Sequence, residues 1–313
     1  MRAMRANTTR PYAALAVSMA VVSFAAILIS LARAQGMPAL AIAAMRMGLA
    51  ALVVAPIAIV RCREEIRGLG AADILRGIGA GVLLALHFAF WISSFDYTSV
   101  MSSVVFVSTN PLFVGLASVL LLKERVGRGT VIGIIVAVTG GAIVGFADVS
   151  QAGPQSLRGD ILALLGAVCA SGYLLLGRSL RKRISLSLYV GMAYTIAAVV
   201  LLGLVAVTRT PLAGYPVWSY AWAVLLALGP QLLGHTSYNW ALKYVSATLV
   251  TITLLAEPIG ATLLAIPILG QVPSALRIGG GALILAGIFV AARAEARQRY
   301  SAITPPPTRM SPS

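Results

Sequence analysis

Apolar residues fall in ten successive runs, at roughly 12–32, 39–60, 74–95, 99–122, 130–148, 159–179, 187–208, 218–242, 247–269 and 275–293. Each run is long enough to cross a hydrocarbon core of about 30 Å as a helix of about 20 residues. The connections are short, and several open with Gly or Pro: Gly36-Met37-Pro38, Gly127-Arg128-Gly129 and Gly153-Pro154. The pattern predicts an all-α polytopic membrane protein with ten transmembrane helices. The first run also has features of a signal peptide, with Arg2, Arg5 and Arg10 ahead of it and Ala32-Arg33-Ala34 at its end. Its apolar stretch is longer than the usual 7–15 or so residues, which favours an uncleaved first helix. The Pro- and Ser-rich tail from Tyr300 onward is expected to be disordered, so residues 1–11 and 294–313 read as flexible termini.

Composition agrees with the pattern. Hydrophobic residues make up 59% of the chain and charged residues 11%, against about 25% charged in soluble domains. The net charge of +15 would suggest nucleic acid in a soluble protein. Here its distribution argues otherwise. With the N-terminus inside, 19 of the 24 Lys and Arg residues fall on the cytoplasmic side, and only Arg33, Arg158, Arg209 and Arg277 fall on the other. Arg46 lies within the second span. This bias is the one that orients membrane helices, so no nucleic-acid partner is implied and both termini are predicted cytoplasmic. Cys62 and Cys169 show no metal-ligand spacing and are given no role.

The two halves resemble each other. Writing Asp96-Tyr97-Thr98-Ser99 over Lys243-Tyr244-Val245-Ser246 sets an offset of 147 residues. The same offset aligns Asn110-Pro111 with Glu257-Pro258, Gly133 with Gly280 and Gly140 with Gly287. One ungapped offset over two helices is a repeat signal. The boundaries are 12–148 for the first repeat and 159–293 for the second. Five helices per copy is an odd number, so the second copy enters the membrane inverted. The charges follow: Lys123-Glu124-Arg125 is cytoplasmic, while the matching Gly270-Gln271-Val272 is external and uncharged. Inverted repeats are a design of secondary transporters, with the site near the midplane where the copies meet.

These features resemble the drug/metabolite transporter superfamily, and within it the EamA-type exporters. Asn110-Pro111-Leu112 to Lys123-Glu124 and Leu254-Leu255-Ala256-Glu257-Pro258 to Leu269-Gly270 carry most of the likeness. Arg46 in Met45-Arg46-Met47-Gly48 matches an Arg usual in that family's second helix, whereas Gln271 departs from a frequent Glu. The resemblance implies export of small metabolites, amino acids or drugs from the bacterial cytoplasm, across the inner membrane. Within it, an aromatic or neutral amino-acid exporter is the nearest likeness. It also implies a central cavity lined by both repeats, with the fifth and tenth helices peripheral.

Ionisable groups within a membrane cost about 2.5–3.5 kcal/mol at a helix centre for Arg or Asp, so each requires a reason. Glu257 reads as a proton or substrate-amine site, or as a partner for the carbonyl freed by Pro258. Asn110 at the matching position shows that a polar group is needed there, not necessarily a charge. Pro111 and Pro258 form a symmetric pair of kinks, suited either to a moving element or to fixed packing. His87 and Trp91 share a face of the third helix. Gln231, His235, Tyr238 and Asn239 share a face of the eighth. Such walls suit a substrate with an apolar body and polar ends, although interhelical hydrogen bonding explains them too. Arg46 either holds a substrate carboxylate or pairs within the protein, and Tyr173 is a further cavity candidate. Gly133, Ala137, Gly141 and Gly145 form a small-residue seam for packing within the chain or in a dimer.

No Walker Lys follows Gly77-Ile78-Gly79-Ala80-Gly81. Transport is therefore gradient-driven or facilitative, with no cofactor and no metal. The expected partners are a small-molecule substrate and the lipid bilayer, in a monomer or homodimer. The alternatives are a multidrug or other metabolite exporter, proton-coupled or not, and a membrane-embedded enzyme. The enzyme is disfavoured because titratable groups do not cluster at a membrane surface. A reporter fused to the C-terminus is expected to be active only on the cytoplasmic side; an external signal contradicts the ten-span count.

Overall fold

A computed structural model describes residues 9–122, 128–241, 243–244, 253–254 and 256–303. The first span is α1 (Thr9–Val22) and α2 (Ala25–Ala34), and the second is α3 (Ala39–Arg61), followed by the short surface helix α4 (Arg63–Arg67). The third span is α5 (Ala71–Ser94), and the fourth is α6 (Val100–Val107) with α7 (Asn110–Leu122). Next come α8 (Arg128–Ala152), α9 (Gln155–Leu180) and α10 (Leu186–Thr208) as fifth to seventh. The eighth comprises α11 (Val217–Leu226), a π-helical segment (Ala227–His235) and α12 (Thr236–Ala241); α13 (Ala256–Leu269) and α14 (Ala275–Ile303) complete the set. Seven of the spans are long and apolar enough to cross a membrane by themselves, and three shorter apolar helices belong to the fourth, ninth and tenth. The protein is thus an all-α polytopic membrane protein. The Lys123-Glu124-Arg125 turn and the opening of the ninth span lie outside the described residues. The tenth helix runs to Ile303, ten residues beyond the predicted end of the repeat. The polar stretch Ala294–Ile303 has no Pro or Gly to stop it; the first Pro is Pro305.

Local chemistry sets the helix boundaries. Ser99 and Ser185 cap the fourth and seventh spans, their hydroxyls accepting from the amides of Ser102 and Leu188 at 3.2 and 3.3 Å. The fourth span is interrupted at Ser108-Thr109, directly before Asn110-Pro111. Pro111 has no N–H to continue the ladder. Side chains take up nearby carbonyls instead: Thr109 Oγ1 donates to Phe106 O at 2.6 Å, and Ser171 Oγ to Asn110 O at 2.8 Å. Pro258 lies within α13, and Leu255 directly ahead of that helix lies outside the described residues.

The packing is two-fold related. The second span packs on the seventh, the fifth on the tenth and the fourth on the ninth; the third packs on the sixth just as the eighth packs on the first. Advancing every helix by five reproduces this set of contacts. The direction of the second copy is visible at the fifth–tenth crossing. A Cβ on Gly133 would lie 2.5 Å from the Gly287 carbonyl oxygen, and one on Gly140 would lie 2.6 Å from that of Gly280. The earlier Gly of one helix meets the later Gly of the other, so the helices run antiparallel and each copy contributes the same two positions. The predicted seam divides here. Gly133, Ala137 and Gly140 face the tenth helix, whereas Gly141 and Gly145 look toward Phe106 and Asp160. An α-helix turns by 3.6 residues, so a strict four-residue spacing drifts off one face.

The two ends of the bundle are closed by different groups. At one end Arg183 pairs with Asp73 at 3.3 Å, and the Ser185 amide donates to Glu65 at 2.9 Å. At the other, Arg33 pairs with Asp96 and the Val100 amide donates to Gln271 Oε1 at 3.1 Å. Burial raises the Asp96 carboxyl, and Arg33 only partly offsets this. Gly133→Leu or Gly287→Leu is expected to force the fifth and tenth helices apart. The expected loss is on the order of 1–3 kcal/mol, read as a lower unfolding temperature in detergent.

Candidate functional site

Two openings stand out among the described residues of the bundle. The larger, about 770 Å³, is an apolar groove among the fourth, fifth and sixth spans. Leu116, Val138, Phe146 and Ile161 on its walls are exposed. Apolar side chains dominate it, and Thr109 and Asp160 are the polar residues of its described lining, too few to suit a polar solute. The smaller lies at the centre, where the repeats meet. Its walls come from the first, third and fourth spans and from the sixth, eighth and ninth, which are their counterparts. Among the described residues the fifth and tenth contribute nothing to it. Its free volume is about 50 Å³, room for a few water molecules. Loading a larger solute therefore requires the walls to move.

Seven of the residues singled out in the sequence line this cavity: His87, Trp91, Asn110, Tyr173, His235, Tyr238 and Glu257. Val107, Ser108, Leu174 and Leu254 join them. The 147-residue offset relates three pairs of lining residues: Trp91 with Tyr238, Val107 with Leu254 and Asn110 with Glu257. The site is thus symmetric in place and asymmetric in chemistry. The walls are aromatic. His87 stacks on Trp91 with ring centres 5.8 Å apart, and His235 lies 5.1 Å from Tyr238 and 5.7 Å from Phe88. His87 Nδ1 donates to the Gly166 carbonyl at 2.9 Å.

Three candidates stand behind the lining. Asn239 donates from Nδ2 to the Tyr173 hydroxyl at 2.9 Å. Arg46 is fully buried and donates from Nε to Gln231 Oε1 at 2.8 Å, with its guanidinium 3.9 Å from the centre of the Phe88 ring. The predicted single face of the eighth helix does not hold. Around Pro230 the helix widens to π geometry, whose bonds close over five residues rather than four. The Thr236 hydroxyl reaches back five residues to the Gln231 carbonyl at 3.4 Å. His235 and Tyr238 consequently line the cavity, while Gln231 turns to Arg46 and Asn239 to Tyr173. The sequence does not mark Tyr194, whose hydroxyl is 3.2 Å from that of Thr236, nor the support that Phe88, next to His87, gives to Arg46.

The buried polar atoms here are unevenly matched. Among the described residues, Arg46 Nη1 and Nη2, Gln231 Nε2, Trp91 Nε1 and His235 Nδ1 have no hydrogen-bond partner. No described carboxylate lies within ion-pair distance of Arg46. Glu257 is the acidic group whose charge reaches it.

A polytopic helical bundle with repeated halves and a central cavity between them defines a membrane transporter architecture. The chain belongs to the EamA-like transporter family, which matches it twice, over residues 11–146 and 157–293, and so to the drug/metabolite transporter superfamily. It is 29% identical over 205 residues to a protein of Streptantibioticus cattleyicolor described as "probable terminal-alkyne amino-acid exporter", covering 64% of this chain and 66% of that one. An uncharacterized transporter of Archaeoglobus fulgidus is 27% identical over 197 residues, covering 63% of this chain and 68% of the relative. The matches thus span about two thirds of these relatives. A crystal structure with TM-score 0.61 and 21% identity covers 89% of this chain and 97% of its own, and shares the fold.

Gln231→Leu removes the one hydrogen bond that Arg46 makes among the described residues. It is expected to cost on the order of 1–3 kcal/mol, read as a fall in unfolding temperature.

Proposed function

We propose that this small-solute transporter, embedded in a membrane as a multi-pass bundle, exports amino acids, aromatic or other neutral ones, across the inner membrane of a bacterium. The observation that carries this is the central cavity, where the aromatic wall of His87, Trp91, His235 and Tyr238 adjoins Glu257 and stands in front of Arg46. An aromatic wall takes an apolar side chain, and the two opposite charges suit a zwitterion's ends. The amino-acid exporter among the relatives supports the same substrate class.

Transport proceeds by alternating access. The two repeats rock about the central cavity, opening it to one side and then the other. The interruption before Pro111 and the helix at Pro258 are the hinges, each placed beside a polar lining residue, Asn110 or Glu257. Glu257 is the proton or amine site, and its neutral counterpart Asn110 confines that role to the second repeat.

Proteoliposomes holding the purified protein are expected to show saturable flux of labelled neutral amino acids. Flux of cationic drugs with none of any amino acid would instead favour the multidrug reading. Glu257→Gln is expected to reduce flux at least about tenfold and to flatten its pH dependence; normal flux with an unaltered pH profile removes the proton role.

A further inference from the structure

The imbalance among buried polar atoms points to the part of the substrate that the site cannot do without. Nearly every buried group left unpartnered around the cavity is a nitrogen. Arg46 presents two, Gln231 one, Trp91 one and His235 one. The guanidinium, amide and indole nitrogens are donors only. Such a group costs far more buried and unmatched than exposed, and the cost is largest for a charge in a low-dielectric interior. The acidic group lining the cavity is Glu257, which makes no ion pair with Arg46. The site has donors in excess, and among the described residues no carboxylate is in contact with the guanidinium.

We infer that the substrate must carry a carboxylate, and that Arg46, held by Gln231 and backed by Phe88, is its counter-ion. The inference rests on the export reading above and narrows it. Arg46 is already oriented. Its Nε is committed to Gln231 Oε1 at 2.8 Å and its plane is supported by Phe88 at 3.9 Å, which leaves the Nη1 and Nη2 side for a planar anion. A carboxylate is the group whose two oxygens match two parallel guanidinium N–H donors. Phe88 also lies 4.7 Å from His87 and 5.7 Å from His235, both lining residues. The wall between Arg46 and the cavity is therefore one side chain thick at this point. Because the cavity now holds only about 50 Å³, loading must displace wall groups, and a shift of Phe88 brings the guanidinium into contact. Gln231 acts as a positioning residue: the π-helical stretch that includes it also ends at His235, so movement of that stretch changes the cavity wall and the hold on Arg46 together.

The test is a ligand series on the full chain in lipid nanodiscs, read by thermal shift and by competition in a flux assay. Phenylalanine, phenylalaninamide, phenethylamine and 3-phenylpropionate share an aromatic body and differ in the two end groups. Phenylalanine is expected to bind at least about tenfold more tightly than its amide or the amine. Arg46→Gln is expected to abolish that preference, and Arg46→Lys to retain part of it, since a charge remains without the planar fork. Equal binding of phenylalanine and phenylalaninamide by the unaltered protein, or an undiminished preference in a folded Arg46→Gln, overturns the inference while leaving export intact. The ligand series needs no variant, so a failure of Arg46→Gln to fold does not affect it. Binding of 3-phenylpropionate without phenylalanine supports the carboxylate requirement and overturns the amino-acid reading. Binding of the amine alone overturns the carboxylate requirement.

Discussion

A guanidinium buried inside a membrane-spanning bundle has to be matched by the protein, because the surrounding hydrocarbon offers it nothing. Arg46 is that group here, and its neighbours come from different spans. It sits on the second, leans on Phe88 of the third and is held by Gln231 of the eighth. One charge thereby ties the first repeat to the second behind the central cavity. Its placement also requires the eighth helix to depart from α geometry. Pro230 cannot donate to the preceding turn, and the π stretch that accommodates it turns Gln231 toward Arg46 while His235 and Tyr238 stay on the cavity. Wide turns of this kind are frequent at functional sites, and here the geometric reason is visible.

The rest of the bundle divides by the same symmetry into helices that line the cavity and helices that do not. Helices one, three, four, six, eight and nine enclose the cavity. Helices five and ten cross each other through paired glycines, where backbones come too close for any side chain. In a membrane, where apolar burial supplies little drive between helices, such close backbone contact is a main source of cohesion. The chain invests it at the periphery and keeps bulkier, adaptable side chains around the centre.

Much of this was legible in the sequence. The apolar runs located the ten spans, and the 147-residue offset located residues that the fold brings to equivalent places, Asn110 and Glu257 among them. These signals survive because period and composition are local properties. What escaped depended on departures from ideal helices. The eighth helix was read with strict α spacing, so Gln231 and Asn239 were grouped with His235 and Tyr238 although they face other partners. The four-residue glycine seam of the fifth helix was taken as one surface, yet the 3.6-residue turn splits it between two neighbours. The support that Phe88 gives is not legible, because an aromatic in an apolar run carries no mark of what it supports. Its role depends on Arg46, which is distant in sequence and adjacent only in the fold.

The unlike pairs at the cavity have a thermodynamic meaning. Two identical halves related by a two-fold axis in the membrane would make the inward- and outward-facing forms superimposable by that rotation and of equal free energy. Neither side would then be favoured at rest. Asn110 opposite Glu257, and Trp91 opposite Tyr238, break that degeneracy at the cavity, and the unlike contacts at the two ends, Arg183 with Asp73 and Arg33 with Asp96, break it there. On the alternating-access reading, a resting preference of the empty carrier for one face comes from unlike pairs of this kind.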